Sequence, residues 1–235
     1  MRRTIALLRW EARLQRRYMF YAVTAIVAVV WVVLLRLLPV EALANPAALV
    51  PLFVLTNLQI TVFYFAAALV LLERGQGVLA ALLVSPLSAD EYLWIKALSL
   101  TALALVENAV IVGLVFGPNL QWGWFVVGTA ALCLLYVFAA VATVAPHAGI
   151  TTFLLPSVGW VAIFTAPLLG YYDVVPLWAF VWHPLMPPLY LLEAASRPVA
   201  PEFLTYAVLA SLAWCAVAQV WARRRFTQVI APASV

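Results

Sequence analysis

Ionisable side chains are rare in this sequence, and one of them falls inside an apolar run. Glu107 lies about half-way along Leu93–Phe116, and Asn108 follows it directly. A carboxyl group in such a run is costly to bury and is by default a candidate functional residue. Three roles fit it: a paired structural acid at a bundle or subunit interface, a cavity residue that meets cationic cargo, or a proton-coupling site. The sequence leaves all three open.

A second set of polar residues lies in the apolar run before it. Thr56, Asn57, Gln59 and Thr61 are close together, and Asn57 and Thr61 share one helix face at a spacing of four. Hydrogen bonding between helices explains such a group. Lining a translocation path is the alternative, and we take Asn57, Thr61, Glu107 and Asn108 as candidate pathway residues.

Motifs for nucleotide, metal and covalent chemistry are missing from the sequence. No G-x-x-x-x-G-K-[ST] occurs, and Lys96 is the only lysine, so the chain cannot hold ATP in the P-loop manner. There is no H-E-x-x-H or C-x-x-C, and His147 and His183 fall on opposite predicted sides. We therefore expect no metal or cofactor bound by this chain and no catalytic residue, with His183 a packed residue or an outer gate.

The elements that carry these residues are membrane spans. The 235 residues are 67% hydrophobic and only 9% charged, far from the composition of a soluble domain. Apolar runs of about 18 or more residues can each cross a bilayer as a helix. Residues 1–235 are thus predicted to form one all-α integral membrane domain with six transmembrane helices. These are Tyr18–Leu38, Pro51–Leu72, Leu93–Phe116, Trp122–Ala145, Gly149–Gly170 and Phe203–Ala222.

The basic residues set the expected orientation. Six arginines lie within Met1–Arg17, Arg74 and Lys96 flank the loop at 73–92, and three more arginines are at 223–225. Placing both termini in the cytoplasm therefore puts eleven of the 13 Lys and Arg residues on that side. This is the positive-inside pattern of a multi-pass protein of the cell (inner or plasma) membrane. The same placement argues against nucleic acid as a partner.

The first 17 residues are predicted to form an amphipathic helix in the membrane interface. Arg9, Arg13 and Arg16 fall on one face, while Leu7, Trp10, Leu14 and Tyr18 fall on the other. Such a helix contacts membrane lipids through its arginines. It could also act as a lever beside the loop at 73–92.

The sequence of residues 73–92 contains signals for regular structure that a simple connecting loop would not need. Glu73–Val84 is predicted to be a short helix with an apolar stripe, ended by Pro86. Ser88 and Glu91 then form a capping box that starts the third span. A helix that lies across the membrane surface in this way could dock on another protein. The alternative is that the segment only returns the chain to the membrane and has no partner.

Residues 171–201 are apolar but repeatedly broken by proline. We expect short outer re-entrant helices there, one of them running from Pro188 to Ala195. Irregular backbone at that depth requires shielding by protein or a wet cavity.

The loop residues also carry a family resemblance. They are Glu73, Arg74, Gly75, Gly77, Leu82, Ser85-Pro86-Leu87, Glu91-Tyr92 and Lys96. At these positions the segment resembles the corresponding loop of ABC-2-type exporter permeases, and most closely those described as fluoroquinolone or drug export permeases. The six-span plan matches over the whole chain. The resemblance implies a dimer with a second copy or a paralogue, and a coupling helix docked on a separate ABC ATPase subunit that holds ATP and Mg.

The residues implied in that coupling are Glu73, Arg74, Gly77, Leu79, Leu82, Leu83, Ser85, Pro86 and Glu91. The leading hypothesis is the permease subunit of an ATP-driven exporter that moves an amphipathic drug, lipid or hydrophobic metabolite by alternating access. The alternatives are a haem- or polysaccharide-type ABC permease, an intramembrane enzyme and a non-transporting assembly subunit.

Overall fold

The computed structural model describes residues 2–79 and 87–230, and within those residues it is all-helical, with no strand. Its helices are α1 (Arg2–Arg17), α2 (Phe20–Arg36), α3 (Val40–Leu43), α4 (Pro46–Gly75), α5 (Ala89–Phe116), α6 (Trp122–Val144), α7 (Ile150–Thr165), α8 (Pro167–Tyr171), α9 (Met186–Ala194) and α10 (Pro201–Ile230). A 3-10 turn, Leu177–Ala179, lies between α8 and α9.

Five helical segments of the described chain are long and apolar enough to cross a membrane. They are α4, α5, α6, the α7–α8 pair and the longer part of α10. The segment from Ile5 to Arg36 counts as a sixth if its two helices, which meet at 66°, are taken as one span. The chain is thus a helical membrane protein with five or six spans, and the six-span count itself stays a prediction.

Helix α6 is the centre of the bundle. Its large side chains, including Phe125, Tyr136 and Phe138, are fully buried. It packs against α4, α5, α9 and α10, so most elements meet on its surface. At Gly128 an added Cβ would lie 3.0 Å from the backbone nitrogen of Leu192, and this close approach lets α9 lie directly on α6.

Helix α4 begins earlier than the apolar run predicted. The Asn45 side chain accepts a hydrogen bond from the Ala48 amide and Pro46 takes the first turn, so the helix starts five residues before Pro51. Pro51 has no N–H for the carbonyl of Ala47 four residues back. The hydroxyl of Tyr171 donates to that carbonyl at 2.8 Å instead. A π-helical turn, Gln59–Tyr64, then interrupts the middle of α4.

Helix α1 turns into α2 at a single strained residue. Met19 adopts a left-handed backbone conformation (φ 61°), which ends one helix and starts the next at a new angle. Arg9, Arg13 and Arg16 are exposed, and so is Trp10. The location of α1 in a membrane interface stays a prediction.

The start of α5 agrees with its sequence, whereas the segment before it does not. Ser88 and Glu91 form both hydrogen bonds of the predicted capping box. The prediction that a short helix begins at Glu73 is wrong, because α4 continues through Glu73 and Arg74 and ends at Gly75. The chain turns at Gln76 and Gly77, where Gly77 has φ 72°. The next helical residues are 78 and 79.

The proline-rich segment between α8 and α10 contains a short helix, as predicted. It is α9, which begins at Met186 and takes Pro187 and Pro188 into its first turn, so it starts two residues earlier than expected. Its side chains are almost all buried. Whether this segment is re-entrant stays a prediction.

Candidate functional site: two buried polar clusters

A buried charge cluster joins three elements at one end of the bundle. We call this the basic end, because Arg17, Arg74 and Arg223 lie there. The Lys96 ammonium donates to Glu73 at 2.9 Å and to Glu11 at 3.0 Å. These three residues are 1–2% exposed. A single lysine therefore fixes α1, the end of α4 and the start of α5 to one another.

Tyr92 completes this Lys96 cluster. Its hydroxyl donates to the second carboxylate oxygen of Glu73, so both oxygens of that group are satisfied. Tyr92 and Lys96 are 6% and 1% exposed, so both side chains are enclosed by the bundle.

Arg74 and Gln76, at the same end of α4, connect it to two further parts of the bundle. The Arg74 guanidinium donates to the backbone carbonyls of Ala145 at 2.9 Å and His147 at 2.8 Å, in the turn between α6 and α7. The Gln76 amide donates to the hydroxyl of Tyr18, next to the bend between α1 and α2. Glu73, Arg74 and Gln76 thus contact α5, the α6–α7 turn and the bend between α1 and α2.

The far side of the loop is attached to the last helix. Asp90 in the first turn of α5 pairs with Arg223 at 2.9 Å and accepts from Gln219 at 2.7 Å. The Tyr92 ring stacks on Phe226 with centroids 4.8 Å apart. Both ends of the 73–92 loop are therefore tied to the helices around them.

The structure separates the residues predicted to couple to an ATPase. Leu82, Leu83, Ser85 and Pro86 lie outside the described residues. Glu73 and Leu79 are buried, at 1% and 4% exposure, so neither offers a free docking surface. Glu91 serves the capping box. Within the described part of the loop, the exposed positions near its entrance are 75–77.

A second polar cluster lies in the middle of α4 and α5. Asn57 donates to Asn108 at 3.1 Å, and the Thr61 hydroxyl donates to the Asn57 carbonyl at 3.1 Å. The side chains of Asn57 and Thr61 lie close to the carboxyl group of Glu107. The structure thus brings together all four candidate pathway residues. Gln59 instead donates to Thr165 on α7 at 2.9 Å.

Glu107 is among the residues that line a cavity in the described structure. The cavity has a volume of 430 Å³, lies between α2 and α5, and is lined mostly by apolar side chains. Glu107 is 5% exposed, and neither carboxylate oxygen makes a complete hydrogen bond to a described residue. None of the ion pairs among the described residues includes it.

His183 lies in the proline-rich segment and lines a different cavity, of 330 Å³, beside Trp160 and Trp214. Burial of the imidazole lowers the pKa of His183 to about 4. The ring is therefore neutral at pH 7, and its Nδ1 accepts the Leu185 amide at 3.2 Å. This geometry agrees with a packed residue, and a gating role stays a prediction.

Sequence reasoning missed Glu11 and Gln15 on α1. Both are buried, and Gln15 donates to Ser99 at 2.8 Å. A signal for Glu11 was present, because residues 7, 11, 14 and 18 share one helix face, which places an acid in an apolar stripe. The bundle-facing side of α1 is therefore partly polar.

Comparison with known proteins settles the family. The profile of the fluoroquinolones export permease protein family matches residues 2–233. This chain belongs to that family. It is 29% identical over 214 residues to the fluoroquinolones export permease protein of Mycobacterium tuberculosis strain CDC 1551 / Oshkosh, covering 89% of this chain and 88% of the relative. The corresponding protein of strain ATCC 25618 / H37Rv gives the same values. The resemblance to drug export permeases is confirmed.

Proposed function

We propose that this chain is the transmembrane subunit of an ATP-driven exporter of amphipathic drugs, with fluoroquinolones as the first substrate class to test. Membership in the export permease family supports transport, and the name of the mycobacterial relatives supports the substrate class. The ATP and Mg would be held by a separate ABC ATPase, since the sequence has no P-loop.

The observation that carries the coupling part of this proposal is the way in which the 73–92 loop is anchored. Its entrance is held by Glu73 and Arg74 and its exit by Asp90. These contacts reach α1, α5, the α6–α7 turn and α10. A push on the loop would therefore be transmitted to all of them instead of being absorbed locally. Alternating access requires this kind of rigid connection.

The basic end is proposed to face the cytoplasm, where an ATPase has nucleotide. Arg9, Arg13 and Arg16 are exposed there and suit anionic headgroups. A second permease copy or a paralogue would complete the transport path.

The test uses membranes in which the tagged full chain is expressed with the ABC ATPase that co-purifies with it. Inverted vesicles should take up a fluoroquinolone only when ATP is supplied. Leu82→Glu should remove both ATPase co-purification and uptake, because a charge is placed on the predicted apolar stripe of the loop. Val40→Glu is the matched control, since Val40 is 78% exposed in α3, outside the predicted spans, and it should retain both activities.

Two results would contradict the proposal. Uptake without ATP or without any ATPase would exclude the ATP-driven mechanism. Full co-purification and uptake by Leu82→Glu would exclude the loop as the docking element.

A further inference from the structure

We infer that the cavity between α6, α7 and α10 binds a flat, uncharged aromatic molecule that carries hydrogen-bond acceptor atoms. This inference rests on the proposed export function for its biological meaning, and it assigns a binding site to one chemical class of substrate. The fused rings and carbonyl oxygen of a quinolone nucleus belong to this class. The binding itself can be measured without transport.

The first argument is the origin of the cavity. Helix α7 makes few close backbone contacts with α6 or α10, and a gap of 330 Å³ lies between the three helices. Aromatic rings bridge this gap at two places, with centroids 5.8 Å apart for Trp160 and Trp221 and 5.4 Å apart for Phe164 and Tyr136. Residues 183–185 add a further wall. The volume is at the lower end of the range of about 300–1,000 Å³ for ligand sites, so it suits a small ligand.

The second argument is the aromatic character of the walls. Five of the 13 lining residues are Phe, Trp or Tyr, whereas these residues make up 13% of the whole chain. The cavity between α2 and α5 has only Tyr21 as an aromatic residue in its described lining. Aromatic rings gain stacked and edge-to-face contacts with other rings, beyond the burial of apolar area. A flat aromatic ligand would gain these contacts, and a lipid acyl chain would not.

The third argument is a set of unused hydrogen-bond donors. The indole N–H groups of Trp160, Trp214 and Trp221 make no hydrogen bond to a described residue, whereas that of Trp122 donates to the Pro118 carbonyl. Trp214 also has no ring contact with another described aromatic side chain. Indole N–H groups usually find an acceptor when they are buried. A ligand with acceptor atoms would supply one to this wall of the cavity.

The charge of the lining restricts the ligand further. None of the described lining residues is Asp, Glu, Lys or Arg. Burial lowers the pKa of His183 to about 4, so its ring is neutral at pH 7. A fixed charge inside this cavity would have no counter-charge and would be strongly disfavoured. The part of the ligand that enters the cavity is therefore uncharged.

The experiment measures binding to the purified full chain in lipid nanodiscs, without ATPase. The probe is tritiated 1-methyl-4-quinolone, an uncharged two-ring molecule with a carbonyl acceptor, and empty nanodiscs correct for partition into lipid. Wild type should bind the probe saturably. Two competitors each lack one of the required features, since 1-methylnaphthalene is flat without an acceptor and methyl decanoate has an acceptor on an acyl chain. Each should need a concentration at least about tenfold higher than unlabelled quinolone for the same displacement.

Substitutions of Trp214 separate the ring from its donor. Trp214→Leu removes both and should weaken probe binding at least about tenfold. Trp214→Phe keeps an aromatic ring without the N–H and should retain part of the binding. Trp10→Leu is the matched control, because Trp10 is 42% exposed on α1, outside the cavity, and it should change nothing.

A steric variant keeps the test decisive if Trp214→Leu does not fold. Ala218 lines the cavity one helical turn beyond Trp214, and Ala218→Phe fills it while every aromatic wall residue is kept. This variant should abolish saturable binding of the probe.

Four results would overturn the inference. They are binding like that of wild type by Trp214→Leu, the same result for Ala218→Phe, and displacement by methyl decanoate as effective as by unlabelled quinolone, which would make the cavity a lipid site. The fourth is conversion of a dimer to a monomer by Ala218→Phe in light scattering, because the cavity would then be an interface between copies of this chain. The binding assay contains neither ATP nor ATPase, so a failure of ATP-driven uptake would count against the proposed function alone.

Discussion

The Lys96 cluster and Glu107 are both buried in the same bundle, but their charges are balanced differently. In the Lys96 cluster one ammonium serves two carboxylates, and Tyr92 satisfies a remaining oxygen. Glu107 has polar neighbours but no cation among the described residues. The first arrangement holds helices together, because all its members need one another. The second places a buried acid among uncharged polar side chains, with no described cation to hold.

This difference gives distinct expectations for removing a charge. Breaking a buried ion pair leaves an uncompensated charge and is strongly destabilising, whereas neutralising an unpaired acid removes a cost. Stability measurements can therefore separate the two clusters without any knowledge of the substrate.

The largest effect is expected for Lys96→Met. It leaves Glu11 and Glu73 buried with no cation, which should lower the free energy of unfolding by about 3–5 kcal/mol. Thermal melting of the detergent-purified chain, followed by size-exclusion fluorescence, measures this. The triple variant Glu11→Gln/Glu73→Gln/Lys96→Met removes all the charges and should recover most of the stability. If Lys96→Met melts like wild type, the cluster is not structural.

A smaller effect is expected for Arg74→Met. The variant keeps an unbranched apolar stem but loses both hydrogen bonds to the α6–α7 turn, at a cost of about 2 kcal/mol. Amide hydrogen exchange should rise in residues 145–149 and remain unchanged around α9. A matched control is Arg224→Met, which removes an exposed arginine from α10 at the same end. Unchanged exchange in the turn would show that Arg74 does not hold it.

The smallest effect on stability is expected for Glu107→Gln. Because the acid has no paired cation to lose, the melting temperature should stay equal to that of wild type or rise. The same melting assay measures this, with Glu73→Gln as the comparison, which should melt lower because it leaves the Lys96 ammonium with one carboxylate fewer. A large drop for Glu107→Gln would mean that this acid has a structural partner, and the distinction between the clusters would fail.

Much of the fold follows from the sequence because lipid imposes simple rules. Spans must be long and apolar, and the capping box at Ser88 uses only local residues. The helix start predicted at Glu73 failed for a tertiary reason. An acid suits a helix N-terminus in isolation, but here the ion pair with Lys96, 23 positions away, holds it in the last turns of α4.

The candidate site was predictable in part. Asn57 and Thr61 were matched by helical periodicity, and their meeting with Glu107 and Asn108 needed only adjacent spans. The cavity between α2 and α5 was not predictable, since it depends on how these two helices pack against each other. The same is true of the contact between α1 and Lys96, because no local rule pairs residues 85 positions apart.

The contacts of Arg74 have an evolutionary consequence. Its guanidinium binds the carbonyl oxygens of Ala145 and His147, not their side chains. Any amino acid supplies the same carbonyl, so the turn is free to drift in sequence as long as its backbone path is kept. Among relatives we expect an arginine opposite a variable turn, a one-sided pattern that covariation between residue pairs would not detect.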